Sequence, residues 1–128
     1  MQWGVVATVA LGGALGSVIR YLVAGAVQPN WWPGFPFGIF VVNITGGLAM
    51  GLITAMAALK LNLSAEMRAF LTTGILGGYT TFSTFSLDSA MLIERGAYTQ
   101  AAAYVVGSAV LSIVALFAGL WLVRAIYA

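Results

Sequence analysis

Residues 74–86 hold three glycines, five serine or threonine hydroxyls and two phenylalanines inside what reads as a membrane-spanning segment. A lipid-facing helix has no use for such a run. Backbone leaves helical form at membrane depth only where protein or a watery cavity satisfies the freed N–H and C=O groups. With a break around 77–81, the freed carbonyls become hard oxygen ligands for a cation, and the N–H groups of the restarted half favour an anion. A kinked helix with local Thr and Ser back-bonding is the competing reading. Phe82 and Phe85 lie one turn apart on the restarted half and face the same way. Aromatic ring edges carry partial positive charge, so edge-on rings can line an anion path without a fixed cation. Simple packing is the plainer role for such a pair, and Ser83, Thr84 and Asn43 are what favour the path, as hydrogen-bond donors beside those edges.

Other candidates lie on the remaining segments. Asn43 sits among Val41, Val42 and Ile44, and its amide needs partners when buried. It serves either as a donor at a site or as polar glue between helices. Tyr104, Ser108 and Ser112 recur at four-residue spacing, which puts their hydroxyls on one face. Back-bonding to the carbonyl one turn earlier is the alternative use of the two serines. Only Arg20 and Asp88 place charge even loosely near the bilayer centre. Arg20 suits a snorkelling anchor, a helix–helix hydrogen bond or a direct role with substrate. Asp88 suits structural support, with freed backbone or Arg20 as its partner.

The elements that must hold these groups follow from composition. Of 128 residues, 62% are hydrophobic and 6% charged, and the mean hydropathy is +1.03. A soluble domain carries about a quarter charged residues, so the chain belongs in a bilayer. A spanning helix takes about 20 apolar residues, and four runs qualify, at 3–27, 35–59, 67–93 and 97–126. The first is too long for a signal-peptide core and reads as a retained helix. The fold class is all-α, a single four-helix membrane domain with a broken third helix. Pro29, Pro33 and Pro36 punctuate the first joint. Ser64 is placed to cap the third helix, with Glu66 near its positive end.

Cysteine and histidine are absent, which removes thiolate, zinc, haem and imidazole chemistry. The net charge of +2 comes from scattered residues and makes no nucleic-acid patch. With four helices, Lys60, Arg68 and Arg124 fall on one side of the membrane, opposite Arg95 and a snorkelled Arg20. So weak a bias permits either one fixed orientation or insertion both ways. In the second case two copies can meet antiparallel about an axis in the membrane plane. Gly12 and Gly16, Gly47 and Gly51, and Gly74 and Gly78 recur at four-residue spacing, with Ala103 and Gly107 a looser version. Such pairs let backbones approach closely, most simply within one chain. Four helices enclose little room for a protected path, so a homo-oligomer is expected, with a dimer the smallest solution.

The string Gly77-Gly78-Tyr79-Thr80-Thr81-Phe82-Ser83-Thr84-Phe85-Ser86, with Asn43 before it and Gly16-Ser17-Val18-Ile19-Arg20 in the first run, resembles the Fluc (CrcB) fluoride channels over essentially the whole chain. The resemblance implies an ion channel and not an enzyme, built as an antiparallel dual-topology homodimer in a bacterial plasma membrane. It implies two passive fluoride pathways and a structural sodium ion on the dyad, held by the backbone carbonyls of Gly77 and Thr80 from both copies. Phe82 and Phe85 would touch fluoride beside Asn43, while Ser83, Thr84, Tyr104, Ser108 and Ser112 would extend a polar track; Arg20 would serve structure or a vestibule. Ile39 departs from the threonine common after the glycine that Gly38 matches, and Tyr79 is a lesser change. Two other functions compete. A proton-coupled exporter of cationic drugs shares the size but needs a membrane carboxylate, and only Asp88 qualifies. A non-transporting membrane subunit explains the glycines but leaves the hydroxyl and aromatic run without a use.

Overall fold

The computed structural model describes residues 1–128, all of them helical or in short joints. Helix α1 spans Trp3–Ala26 and α2 spans Phe37–Leu59. The third span is composite. It begins as α3, Ala65–Ala69, whose cap is Ser64: the hydroxyl accepts the Met67 N–H at 3.1 Å, with Glu66 in the first turn. It then widens into a π-helical stretch, Phe70–Leu76, where the Gly77 N–H reaches back to the Thr72 carbonyl. One further turn, α4 at Gly77–Tyr79, precedes the break, and α5 resumes at Phe82–Glu94. Helix α6, Tyr98–Tyr127, completes the chain. The helices α1, α2 and α6 are long and apolar enough to cross a membrane. The 13 residues of α5 are too few to do so alone.

The π-helical stretch is not anticipated by the sequence. A π turn inserts one residue into the helical register, and a uniformly apolar run carries no polar face against which that slip would show.

Glycine sets how closely the helices pair. A Cβ on Gly12 would lie 2.6 Å from the Phe70 carbonyl oxygen, and one on Gly78 would lie 2.6 Å from that of Gly13. Gly16 is pressed against the Ile75 carbonyl in the same way. These contacts join α1 to the first half of the third span. The second seam joins α2 to α6, where a Cβ on Gly47 or Gly119 would lie 2.6 Å from the carbonyl oxygen of Ser112 or Leu48. Gly107 meets only the Phe40 ring, at 3.2 Å. The glycine pairs thus act between helices of one chain.

An aromatic core closes the bundle at the end of the α1–α2 joint, where Phe35, Leu92, Ala101 and Tyr104 are buried together. Arg95 holds the joint down by donating to the Gly34 carbonyl at 2.6 Å, and Gln100 donates to the Pro33 carbonyl at 2.9 Å. Gly34 adopts φ +86°, a left-handed conformation natural to glycine.

Candidate functional site: the break in the third span

The helix opens at two residues inside the expected stretch. Thr80 (φ −81°, ψ 157°) and Thr81 (φ −150°, ψ 123°) are extended. In a continuous helix the Thr81 N–H would bond the Gly77 carbonyl and the Thr84 N–H would bond the Thr80 carbonyl. Side chains intercept both donors. The Thr81 N–H goes to Asn43 Oδ1 at 2.9 Å, and Asn43 Nδ2 returns a bond to the Thr81 carbonyl at 3.2 Å. The Thr84 N–H goes to Thr81 Oγ1 at 3.1 Å, an N-cap that restarts α5. Gly77 and Thr80 therefore lose the partners a helix would give their carbonyls. Arg20 Nη1, arriving from α1, donates to the Thr80 carbonyl at 3.2 Å.

The hydroxyls of the spans divide into two groups. Thr45, Thr72, Thr80, Ser86 and Ser89 each donate to the carbonyl one turn back, at 2.7 to 2.8 Å. Ser108 and Ser112 do not. Both of their Oγ atoms are buried without a partner, and Ser108 is only 4% exposed. Leaving a buried hydroxyl unpaired costs about 1–3 kcal/mol, so two on one face are a deliberate feature.

The two serines line a groove of about 410 Å³ between α2, the break and α6, with their Oγ atoms just beneath its surface. Asn43, Thr80, Phe82 and Phe85 share its wall with them. Asn43 spends its oxygen and one N–H on Thr81, and its amide has a second N–H in reserve. The two phenyl rings lie 5.5 Å apart between centroids, tilted by 36°. Phe82 is 80% exposed, and no residue of this chain covers it.

The other sequence candidates lie off this groove. The Ser83 hydroxyl is 3.3 Å from that of Thr81 and serves the cap, and Thr84 contributes its N–H there. Tyr104 is wholly buried, and its hydroxyl donates to Asp88 Oδ2 at 3.0 Å. That contact corrects the expected Asp88 partnership, because the carboxylate pairs with Tyr104 and Arg20 is engaged at Thr80 instead. Both groups choose the nearest complementary atom once the helices are rotated into place. Arg20 also borders a second hollow of about 750 Å³, together with Ser17, Gln28 and Ile39. Thr81 was not singled out from the sequence as a cap. Its signal was legible: a hydroxyl residue immediately before a resumed helix, after a glycine pair.

Donors, ring edges and a freed carbonyl within one site suit small ions better than covalent chemistry, since no imidazole, carboxylate or amine lines the groove to activate its hydroxyls. Comparison with known proteins agrees. A family model described as CrcB-like protein, Camphor Resistance (CrcB), matches residues 7–120. The chain is 51% identical over 126 residues to a fluoride-specific ion channel FluC of Nitrobacter winogradskyi, covering 98% of this chain and 100% of that one. It is 52% identical over 124 residues to fluoride-specific ion channel FluC 1 of Nitrobacter hamburgensis, covering 97% and 98%. A fluoride-specific ion channel FluC of Agrobacterium fabrum is likewise 52% identical over 122 residues, covering 95% and 98%.

Proposed function

The chain belongs to the CrcB-like protein family, whose matched relatives bear an ion channel's name and not an enzyme's, and from that premise we propose that it conducts fluoride passively across a bacterial plasma membrane. One observation carries the reading: the two orphaned serine hydroxyls share a groove with Asn43 and the Phe82 and Phe85 rings. A dehydrating fluoride needs several weak donors in series. The serine O–H groups, the spare Asn43 N–H and the ring edges supply them without a cation that would trap the ion. Ser83 and Tyr104 extend the path only if their hydroxyls turn from the partners they now have, whereas Thr84 spends only its backbone N–H on the cap.

The working unit in this reading is an antiparallel homodimer with two pathways. Phe82 supports it, since so exposed a ring beside a polar groove gains a wall from a second copy. A structural sodium ion fits the same arrangement. The Gly77 and Thr80 carbonyls are oxygen donors suited to a hard cation, and the exposed face of Gly77 lets a second copy bring its own pair close. Sodium bound there would supply fixed positive charge and tie the two breaks together. Arg20 already donates to the Thr80 carbonyl, so sodium there would take the second lone pair of that oxygen beside a like charge. A proton-coupled exporter finds less support, because Asp88, the acidic residue it requires, is held by Tyr104.

Fluoride-electrode recordings from proteoliposomes under a potassium gradient test the proposal. Release that needs valinomycin and no proton gradient is the expected outcome. Proton-dependent transport, or silence, would sink it. Phe82→Ile or Phe85→Ile should abolish release while the dimer survives on size-exclusion chromatography, and undiminished efflux would remove the rings from the path.

A further inference from the structure

The groove's Phe85 and Phe82 are the inner end of an unbroken column of aromatic rings that begins in the α1–α2 joint. Trp32 stacks on Phe35 with centroids 4.9 Å apart and planes within 8°. Phe35 meets Tyr104 edge-on at 5.7 Å, and Tyr104 lies 5.4 Å from Phe85. Phe82 follows at 5.5 Å. Each link is within the range in which aromatic pairs hold one another's orientation.

This column is anchored at the joint and in its middle. The joint that carries Trp32 is fixed by Arg95 on the Gly34 carbonyl and Gln100 on the Pro33 carbonyl. In the middle, Tyr104 cannot turn freely, because its hydroxyl is bound to Asp88, which lies one turn beyond Phe85 on α5. Phe35 and Tyr104 are buried, so neither ring has space to reorient without its neighbours. Phe85 is free on the groove side and braced on the other.

We propose that Trp32 is a positioning residue: through Phe35 and Tyr104 it fixes the tilt of the Phe85 ring that faces the groove. The tryptophan touches no groove atom and contributes nothing to the path directly. It converts the docking of a surface joint into the orientation of a ring edge. The inference rests on the channel reading above.

Single-channel recording in planar bilayers tests it, because loss of folded protein lowers the number of channels but not the current through each. Trp32→Leu should lower the unitary fluoride current about tenfold, the rate equivalent of one aromatic pair. Trp32→Phe, which keeps a stacking ring, should restore it. Arg95→Ala combined with Gln100→Ala, which removes both side-chain anchors of the joint without removing any ring, should lower unitary current in the same direction and covers the case in which Trp32→Leu fails to fold. Trp121→Leu, at an exposed tryptophan outside the column, should leave the current unchanged. Unaltered unitary current in Trp32→Leu, or in the Arg95→Ala, Gln100→Ala double variant should the former not fold, overturns the proposal while leaving the channel reading intact. Wild-type protein that carries no fluoride current overturns both.

Discussion

Ser108 and Ser112 are the residues whose chemistry is least ambiguous, since every explanation by local back-bonding fails for them and holds for five other hydroxyls in the spans. Removing an unpaired buried hydroxyl relieves a cost instead of breaking a bond. Ser108→Ala should therefore raise thermal stability in detergent, by up to about 1 kcal/mol, while slowing fluoride efflux. Ser89→Ala is the contrast, because it deletes a made hydrogen bond of 2.7 Å and should not stabilise. Opposite signs for stability and flux at one residue are the mark of a group kept for function.

The third span shows how an element can be broken without being weakened. Asn43 acts as a substitute strand partner for Thr81, giving and accepting one bond each. Asn43→Leu removes both and leaves a backbone N–H and C=O stranded, so a loss of about 2–4 kcal/mol is expected on chemical unfolding. Thr81→Val loses the cap and the longer contact to the Ser83 hydroxyl, for about 1 kcal/mol. The glycine seams give a sharper contrast. Gly12→Ala forces a methyl onto the Phe70 carbonyl at 2.6 Å and should destabilise by about 1–3 kcal/mol. Gly25, which has open space where a Cβ would go, should accept alanine freely. Thermal melts of the two variants side by side measure the difference.

On the scale of the whole molecule, the proposed antiparallel pair makes the two membrane faces equivalent. A cysteine placed at Ala128 in this cysteine-free chain should react with an impermeant maleimide to about half from outside sealed vesicles, as equal insertion in both orientations requires. Complete or absent labelling would mean a fixed orientation. Replacing sodium by a large organic cation should lower fluoride flux if the Gly77 and Thr80 carbonyls hold the ion in the assembly, and unaltered flux on thorough exchange would remove that role.

Much of this architecture is legible from residue types. Four apolar runs, the proline- and glycine-bearing first and last joints and the Ser64 cap of the middle one reflect local rules, because solvation by lipid and backbone capping act on short stretches. The break in the third span is legible for the same reason: glycines followed by hydroxyl residues have no lipid-facing use. Helix rotation is different. Whether Tyr104 turns its hydroxyl toward the groove or toward Asp88, and whether Asn43 faces Thr81 or a ligand, depends on angles of a few tens of degrees between helices that are apolar all round. No polar stripe records those angles in the sequence. The sequence by itself determined that the chain lives in a bilayer, where its third helix opens and which residue types stand at the opening. Only the tertiary structure decided which hydroxyls stay unpaired, because pairing depends on which carbonyls and carboxylates the close-packed glycine seams bring within about 3 Å.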